Sequence, residues 1–404
     1  MYQPSDKILE SYADVLVNFA LNNGKGIEPG DVVYLQVPEV AKPLFVALYK
    51  AITKADGNII SHYTPCLDET HNHRRDFYEH ANDKQLNHFP EKYYRGLIDA
   101  TDHMLMISAD TDKRALKGID SKKLMTRGQA MRPFLDWRLE EEGKGNLSWT
   151  IAAYGTQAAA DEAGLSLEEY WNEIIHACYL DMDDSIAEWK KTDAKIQEII
   201  GRLNEMPIEK IHVEADNIDL HIKIGERRRW EGGGGSNIPS YEIFTSPDWR
   251  GTEGTIAFNQ PLYRYGNLIK GIKLTFKNGK VVDASAEENE QVLKDMIATD
   301  GADKVGEFSL TDKRFSRIGK FMAETLFDEN TGAEHGNTHI ALGQAYKSCL
   351  DGDESQLNEE EWEELGFNSS SAHTDIISTQ PRTATATLKD GSKVVIYKDG
   401  EFQV

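Results

Sequence analysis

The chain changes texture once, at Met206-Pro207, and that change restricts the folds open to it. Before it, short apolar runs alternate with longer stretches of helical periodicity. Residues 32–37 read as a strand, and 41–55 as a helix that stops at Asp56-Gly57. Further strands are expected at 58–63, 103–107 and 148–153, with helices between them and more helix over 165–203. Strands separated by helices imply parallel pairing with covering helices. After Met206-Pro207 the strand-like runs follow one another directly. Residues 211–215 and 218–224 flank Asp216-Asn217 as a hairpin, and short strands are expected at 255–258, 271–276, 280–284 and 392–397. Asn278-Gly279 and Asp399-Gly400 are the turn pairs that close antiparallel hairpins. Residues 287–299 read as a helix. The expectation is an α/β N-terminal domain with a mostly parallel sheet over 1–204. A β-rich α+β C-terminal domain follows over 205–404, and the 404-residue length suits two or three domains.

Composition excludes some functions. With 39% hydrophobic residues and no apolar run near the roughly 18–20 residues of a membrane span, the chain does not read as a membrane protein. The first residues lack a basic segment followed by an apolar core, so no signal peptide is expected. The net charge of −23, from 45 Lys+Arg against 68 Asp+Glu, argues against a nucleic-acid partner. Cys66, Cys178 and Cys349 are far apart, with no Cys-x-x-Cys pair. That suits a reducing cytoplasm and offers no thiolate metal site. Cys178 reads as a buried small hydrophobe, with His176 on a different helix face. The Gly232–Gly235 run lacks a phosphate-binding pattern and reads as a flexible loop. The acidic run 359–364 reads as a solvated helical face or loop.

Metal-ligand side chains crowd the last third. Glu334-His335-Gly336-Asn337-Thr338-His339 is one cluster and His373-Thr374-Asp375 another, with Glu242 and Glu307 upstream. An isolated acid or histidine is usually a surface group, so the signal is the company these residues keep. His339 precedes the apolar, small stretch Ile340-Ala341-Leu342-Gly343. His373 and Asp375 are two apart, which on a strand puts both on one face. Imidazole and carboxylate together suit a borderline divalent ion, and the surplus of ligands over one tetrahedral ion suggests two ions sharing a carboxylate. His71-Asn72-His73 has similar spacing, but its neighbours Arg74 and Arg75 would repel a cation, so it reads as surface.

Five blocks then resemble, in order and spacing, the aminopeptidase T/aminopeptidase S family of metal-dependent aminopeptidases. They are Asp219 through Arg228-Arg229-Trp230 to Asn237-Ile238-Pro239 and Glu242-Ile243-Phe244-Thr245-Ser246-Pro247; Gly271-Ile272-Lys273-Leu274 with 279–284; Gly306-Glu307-Phe308; Thr325-Leu326-Phe327-Asp328-Glu329-Asn330 followed by 339–346; and His373-Thr374-Asp375. The resemblance implies two divalent ions (Zn, Co, Mn or Mg) held by Glu242, Glu307, His339, His373 and Asp375. Glu307 would bridge them, and a metal-bridged water would hydrolyse N-terminal residues from peptides. Tyr346 matches the family's active-site tyrosine, expected to donate to the oxyanion or carry a proton. The family's additional glutamate could be Glu329 or Glu334; Glu334, nearer His339, is preferred, and His335 is taken as a bystander. Tyr241 replaces a usual glycine and is expected to narrow the pocket or alter specificity. The resemblance also implies a homodimer. The competing readings are another dinuclear hydrolase, such as a deacylase or amidohydrolase, and a non-catalytic binding protein whose pocket is blocked by Tyr241 and the longer 329–339 segment.

Overall fold

The computed structural model describes residues 2–68 and 70–404. Met1 of the leader reading and Glu69 beside His71 lie outside the described residues.

The first half builds a parallel sheet. Its strands run in the order Asn58–Thr64, Val32–Pro38, His103–Ser108, Ser148–Ala153 and Asn237–Ile238, every neighbouring pair parallel. Helices such as Asp6–Val15, Lys42–Lys54 and Leu167–Ala177 supply the crossovers and cover. Their ends follow local chemistry. Ser166 caps the last of these, accepting from the Glu169 N–H while the Glu169 carboxylate accepts from the Ser166 N–H. Gly164, at φ 71°, ends the preceding helix in the left-handed conformation that glycine adopts without strain. Cys178 is fully buried in this half's core, and His176 instead pairs with Asp181 on the surface.

The fifth strand of that sheet is donated by the second half, which is otherwise antiparallel. An eight-stranded sheet runs Lys280–Ser285, Lys273–Lys277, Glu253–Ala257, Ile218–Lys223, Ile208–Ala215, Thr383–Leu388, Lys393–Lys398 and Glu401–Phe402. Two of its hairpins close on the anticipated pairs, Asn278-Gly279 and Asp399-Gly400, all four residues at positive φ. A five-stranded sheet carries the chemistry of interest: His373–Ser378, Asn337–Gly343, Val305–Thr311, Glu242–Thr245 and Glu231–Gly232. The α/β and β-rich expectation is met. The acidic run forms the helix Glu359–Leu365, with Trp362 buried beneath its charged face.

Two large apolar cores result. One lies around the parallel sheet and its helices, the other between the antiparallel sheets. Helix Ser185–Glu205 joins them, placing Trp189 in the first and Ile196, Ile199, Ile200 and Leu203 in the second. Tyr241 belongs to the first core and is wholly buried. Its hydroxyl donates to the Ala177 carbonyl (2.5 Å), and its ring stacks on Trp189 with centroids 5.3 Å apart. The expectation that Tyr241 narrows a pocket is therefore overturned: the side chain points into packed helices and fastens the segment leading to Glu242.

Candidate metal centre

Alternation along the five-stranded sheet builds the site. Ile243, Phe308, Leu310, Ile340, Leu342 and Ile376 face the apolar core. Residues of opposite parity share the other face. On it, Ser309 is paired with His339 and with Phe244, Glu307 with Ala341, Ala341 with Asp375, Gly343 with His373, and Thr311 with Glu242. Four neighbouring strands thus turn Glu242, Glu307, His339, His373 and Asp375 to one side. The small residues Ser309, Ala341 and Gly343 between them leave room above the sheet.

Glu307 is the hub. Its Oε1 lies 3.2 Å from His339 Nε2 and its Oε2 3.2 Å from His373 Nε2. His339 Nε2 is also 3.2 Å from Glu242 Oε2, and His373 Nε2 is 3.4 Å from Asp375 Oδ1. The ligand atoms of Glu242, Glu307 and His339 lie within 4.8 Å of one another, as do those of Glu307, His373 and Asp375. The two triads share Glu307 alone. Outer contacts orient the set: Ser309 Oγ donates to Glu242 (3.1 Å), and His373 Nδ1 donates to the Gln344 carbonyl (2.8 Å), which turns its Nε2 toward the carboxylates.

Glu329 completes the cluster. It directly follows the short helix Thr325–Asp328 and is buried, with Asn237 and Asn330 amides at its Oε1. Burial, and then the Asp375 and Glu242 charges, push its carboxyl well above the ordinary range. Burial also raises Glu242, outweighing His339, which pulls it down. Burial would raise Glu307 and Asp375 too, but hydrogen bonds from His339 and His373 hold Glu307 low and the His373 charge holds Asp375 at about 2. Burial depresses both imidazoles, yet their carboxylate partners raise them far above the usual histidine value.

The donor set fits divalent cations. Four carboxylates, three of them buried, gathered around two imidazoles carry a formal charge of −4 when the rings are neutral, and such a group is costly without compensating positive charge. Glu307, with one oxygen toward each histidine, is common to both donor groups.

The structure brings together Glu242, Glu307, His339, His373 and Asp375, and it does not bring in Glu334. That side chain is 88% exposed and pairs with the neighbouring His335, 3.7 Å away. The chain turns through 333–336, with Gly336 N–H on the Gly332 carbonyl, so Glu334 sits at the outside of the turn while Glu329 lies at its root. Glu329 takes the place anticipated for Glu334. His335 is a bystander whose carbonyl accepts from Arg382. Tyr346 is at the site, its ring 5.0 Å from that of His373 and 5.4 Å from that of Phe244. Burial, and then Glu307 and Asp375, keep its phenol protonated far above the usual range.

These groups line a cleft of about 1120 Å³. Its other wall comes from the parallel-sheet half, including Ser108, Glu142 and Trp149, and Gly232, Gly233 and Gly234 form part of its rim. No motif announced the Ser108–Trp149 wall, because only the packing of the two halves places it there.

The whole chain has known counterparts. Residues 5–402 match the thermophilic metalloprotease (M29) family. Aminopeptidase PepS of Streptococcus thermophilus is 28% identical across 98% of each chain. Aminopeptidase AmpS of Bacillus subtilis is 30% identical over 80% of this chain and 83% of its own. The structure of wild-type AmpT from Thermus thermophilus superposes with a TM-score of 0.81 at 26% identity, covering 98% of this chain and 99% of that one. The resemblance read from the five sequence blocks is borne out across both halves, and the chain belongs to the M29 family of metalloproteases.

Proposed function

We propose that the cleft hydrolyses the N-terminal peptide bond of peptides, with Glu242, Glu307, His339, His373 and Asp375 as ligands of two divalent ions and Glu329 as the additional carboxylate. The observation that carries this reading is the single shared residue: both donor triads meet at Glu307, one oxygen toward each imidazole. When bound there, the ions would supply Lewis acidity toward the scissile carbonyl and lower the pKa of a water. The chain's own groups do the rest. Glu307 fixes the spacing of the two triads. The negative lining, to which Glu142, Glu231 and Glu354 contribute further out, attracts a peptide's protonated amine. The Tyr346 phenol, held protonated, donates to the oxyanion as it develops and so favours the transition state over the ground state. Expulsion of the leaving amine requires a proton, and the carboxyls and phenol of the cleft can deliver it.

A cytoplasmic setting and a homodimer form part of the same proposal. The three cysteines are free, which suits a reducing compartment, and the acidic charge disfavours nucleic acid. No helix among the described residues is long and apolar enough to cross a membrane.

The test compares aminoacyl anilides and short peptides bearing a free amine with their N-acetylated counterparts. Free-amine substrates should be cleaved and acetylated ones spared. Glu307→Gln should abolish turnover while the far-ultraviolet dichroism of the fold is retained. Equal rates on acetylated substrates would point to a deacylase or endopeptidase and overturn the reading.

A further inference from the structure

A second cluster of imidazole and carboxylate lies outside the cleft, on the solvent face of the eight-stranded sheet. Strands Ile208–Ala215 and Ile218–Lys223 pair so that His212 stands directly opposite His221 and Glu214 directly opposite Asp219. His212 and Glu214 are two apart, as are Asp219 and His221, so all four share one face while Ile211, Val213, Leu220 and Ile222 enter the core. The cleft chemistry uses none of them.

The side chains are arranged for coordination. The ligand atoms of His212, Asp219 and His221 lie within 4.8 Å of one another. Asp219 Oδ1 is 2.7 Å from His212 Nε2 and 3.9 Å from His221 Nε2. Around a tetrahedral ion with bonds of about 2.0–2.1 Å, donor atoms sit roughly 3.4 Å apart, so a bound ion would lengthen the His212–Asp219 contact, a hydrogen bond at 2.7 Å, and shorten the His221–Asp219 one. Glu214 Oε2 lies 3.4 Å from His212 Nδ1. A carboxylate on that nitrogen can hold the ring proton there and give Nε2 to a metal, in place of the hydrogen bond that Nε2 shares with Asp219. The two rings stack at 4.0 Å with 17° between their planes. The strands are also central. Glu253–Ala257 flanks one and Thr383–Leu388 the other, so the backbone is fixed before any ion arrives.

We propose that His212, Asp219 and His221 bind one further borderline divalent cation of the Zn²⁺ class, with Glu214 orienting His212 and the fourth position open to water or a solvent-borne ligand. Such an ion would clamp two central strands of the sheet beside the turn at Asp216-Asn217 and would be independent of the catalytic pair.

The experiment uses the full-length protein dialysed to equilibrium against free Zn²⁺, with bound zinc counted by elemental analysis. His212→Asn/His221→Asn should hold one equivalent less than wild type. The same loss should appear in a Glu307→Gln background, where the cleft is already impaired, and the double variant should keep wild-type anilide hydrolysis. In crystals soaked with zinc, anomalous scattering at the zinc edge should show a peak bonded to both Nε2 atoms. Equal zinc content in the paired proteins, or zinc in the cleft with none between His212 and His221, would overturn the proposal. If the variant folds poorly, the crystal measurement on the wild-type chain decides. Because this site is separate from the cleft, a failed peptidase reading would leave the zinc count unaffected.

Discussion

Glu329 and Glu334 show how far individual residues can be read from a sequence. Both precede His339, and nothing local decides between them. Strand residues can be assigned a face, because alternation dictates it, and the His373/Asp375 pair could be singled out that way, whereas Glu307 and His339 rested on the resemblance. The extra carboxylate lies in a turn, where no period operates, and its orientation follows from the path of 329–336 against Ile318 and Thr311. Glu329→Gln should lower kcat/KM by about 10²-fold or more, the scale of a lost acid–base or metal-orienting carboxylate. Glu334→Gln should leave kcat/KM and metal content unchanged, since its side chain is 88% exposed. The reverse pattern in steady-state assays would return the role to Glu334. Tyr346→Phe should lower kcat by about 10²–10³-fold, as for removal of one oxyanion donor, with metal content intact. A wild-type kcat in that variant would remove the phenol from the chemistry.

At the scale of elements, most strands were legible because their signals are local: alternation, Asn-Gly and Asp-Gly turns, helix caps. Two features were not. Asn237–Ile238 looks like loop in sequence, yet it extends the parallel sheet of the other half. Tyr241, three residues on, was expected at the pocket because it neighbours a ligand candidate. Strand parity reverses the outcome: next to an inward-facing Glu242, the adjacent side chain must face away, here into helices Leu167–Ala177 and Ser185–Glu205. Its backbone N–H also donates to the Asn330 side chain (2.6 Å), linking the Glu242 segment to the one carrying Glu329. Tyr241→Ala should therefore cost about 3–5 kcal/mol, the range for emptying a buried aromatic site. Tyr241→Phe should cost about 1 kcal/mol, for the hydrogen bond alone. Urea unfolding reads both as shifts of the midpoint at constant slope. A variant that unfolds like wild type but accepts bulkier N-terminal residues would restore the pocket-narrowing role.

For the whole molecule, the cleft depends on long-range packing that no window of sequence contains, and its charge ties stability to metal. Without cations, four carboxylates and two imidazoles remain crowded together, with Glu242, Glu307, Glu329 and His339 buried. Binding that favours only the folded state adds stability of about 4 kcal/mol when free ligand exceeds Kd a thousandfold. Chelation should therefore lower Tm by several degrees, and added divalent ion should restore it. The loss should also depend on pH. Glu242 and Glu329 have folded pKa values above their unfolded ones, as do His339 and His373. Such groups contribute stability that is complete below the unfolded pKa and lost as pH rises through the folded one. Glu307 and Asp375 act oppositely, but their contribution is lost only as pH falls below the ordinary carboxylate range. Above the ordinary carboxylate range the metal-free chain should thus weaken as pH rises, whereas metal binding strengthens as ligands deprotonate. Calorimetry with and without chelator should show a Tm gap that widens with pH. A gap that stays constant or narrows would mean that these six side chains do not share their charge with bound cations in the native state.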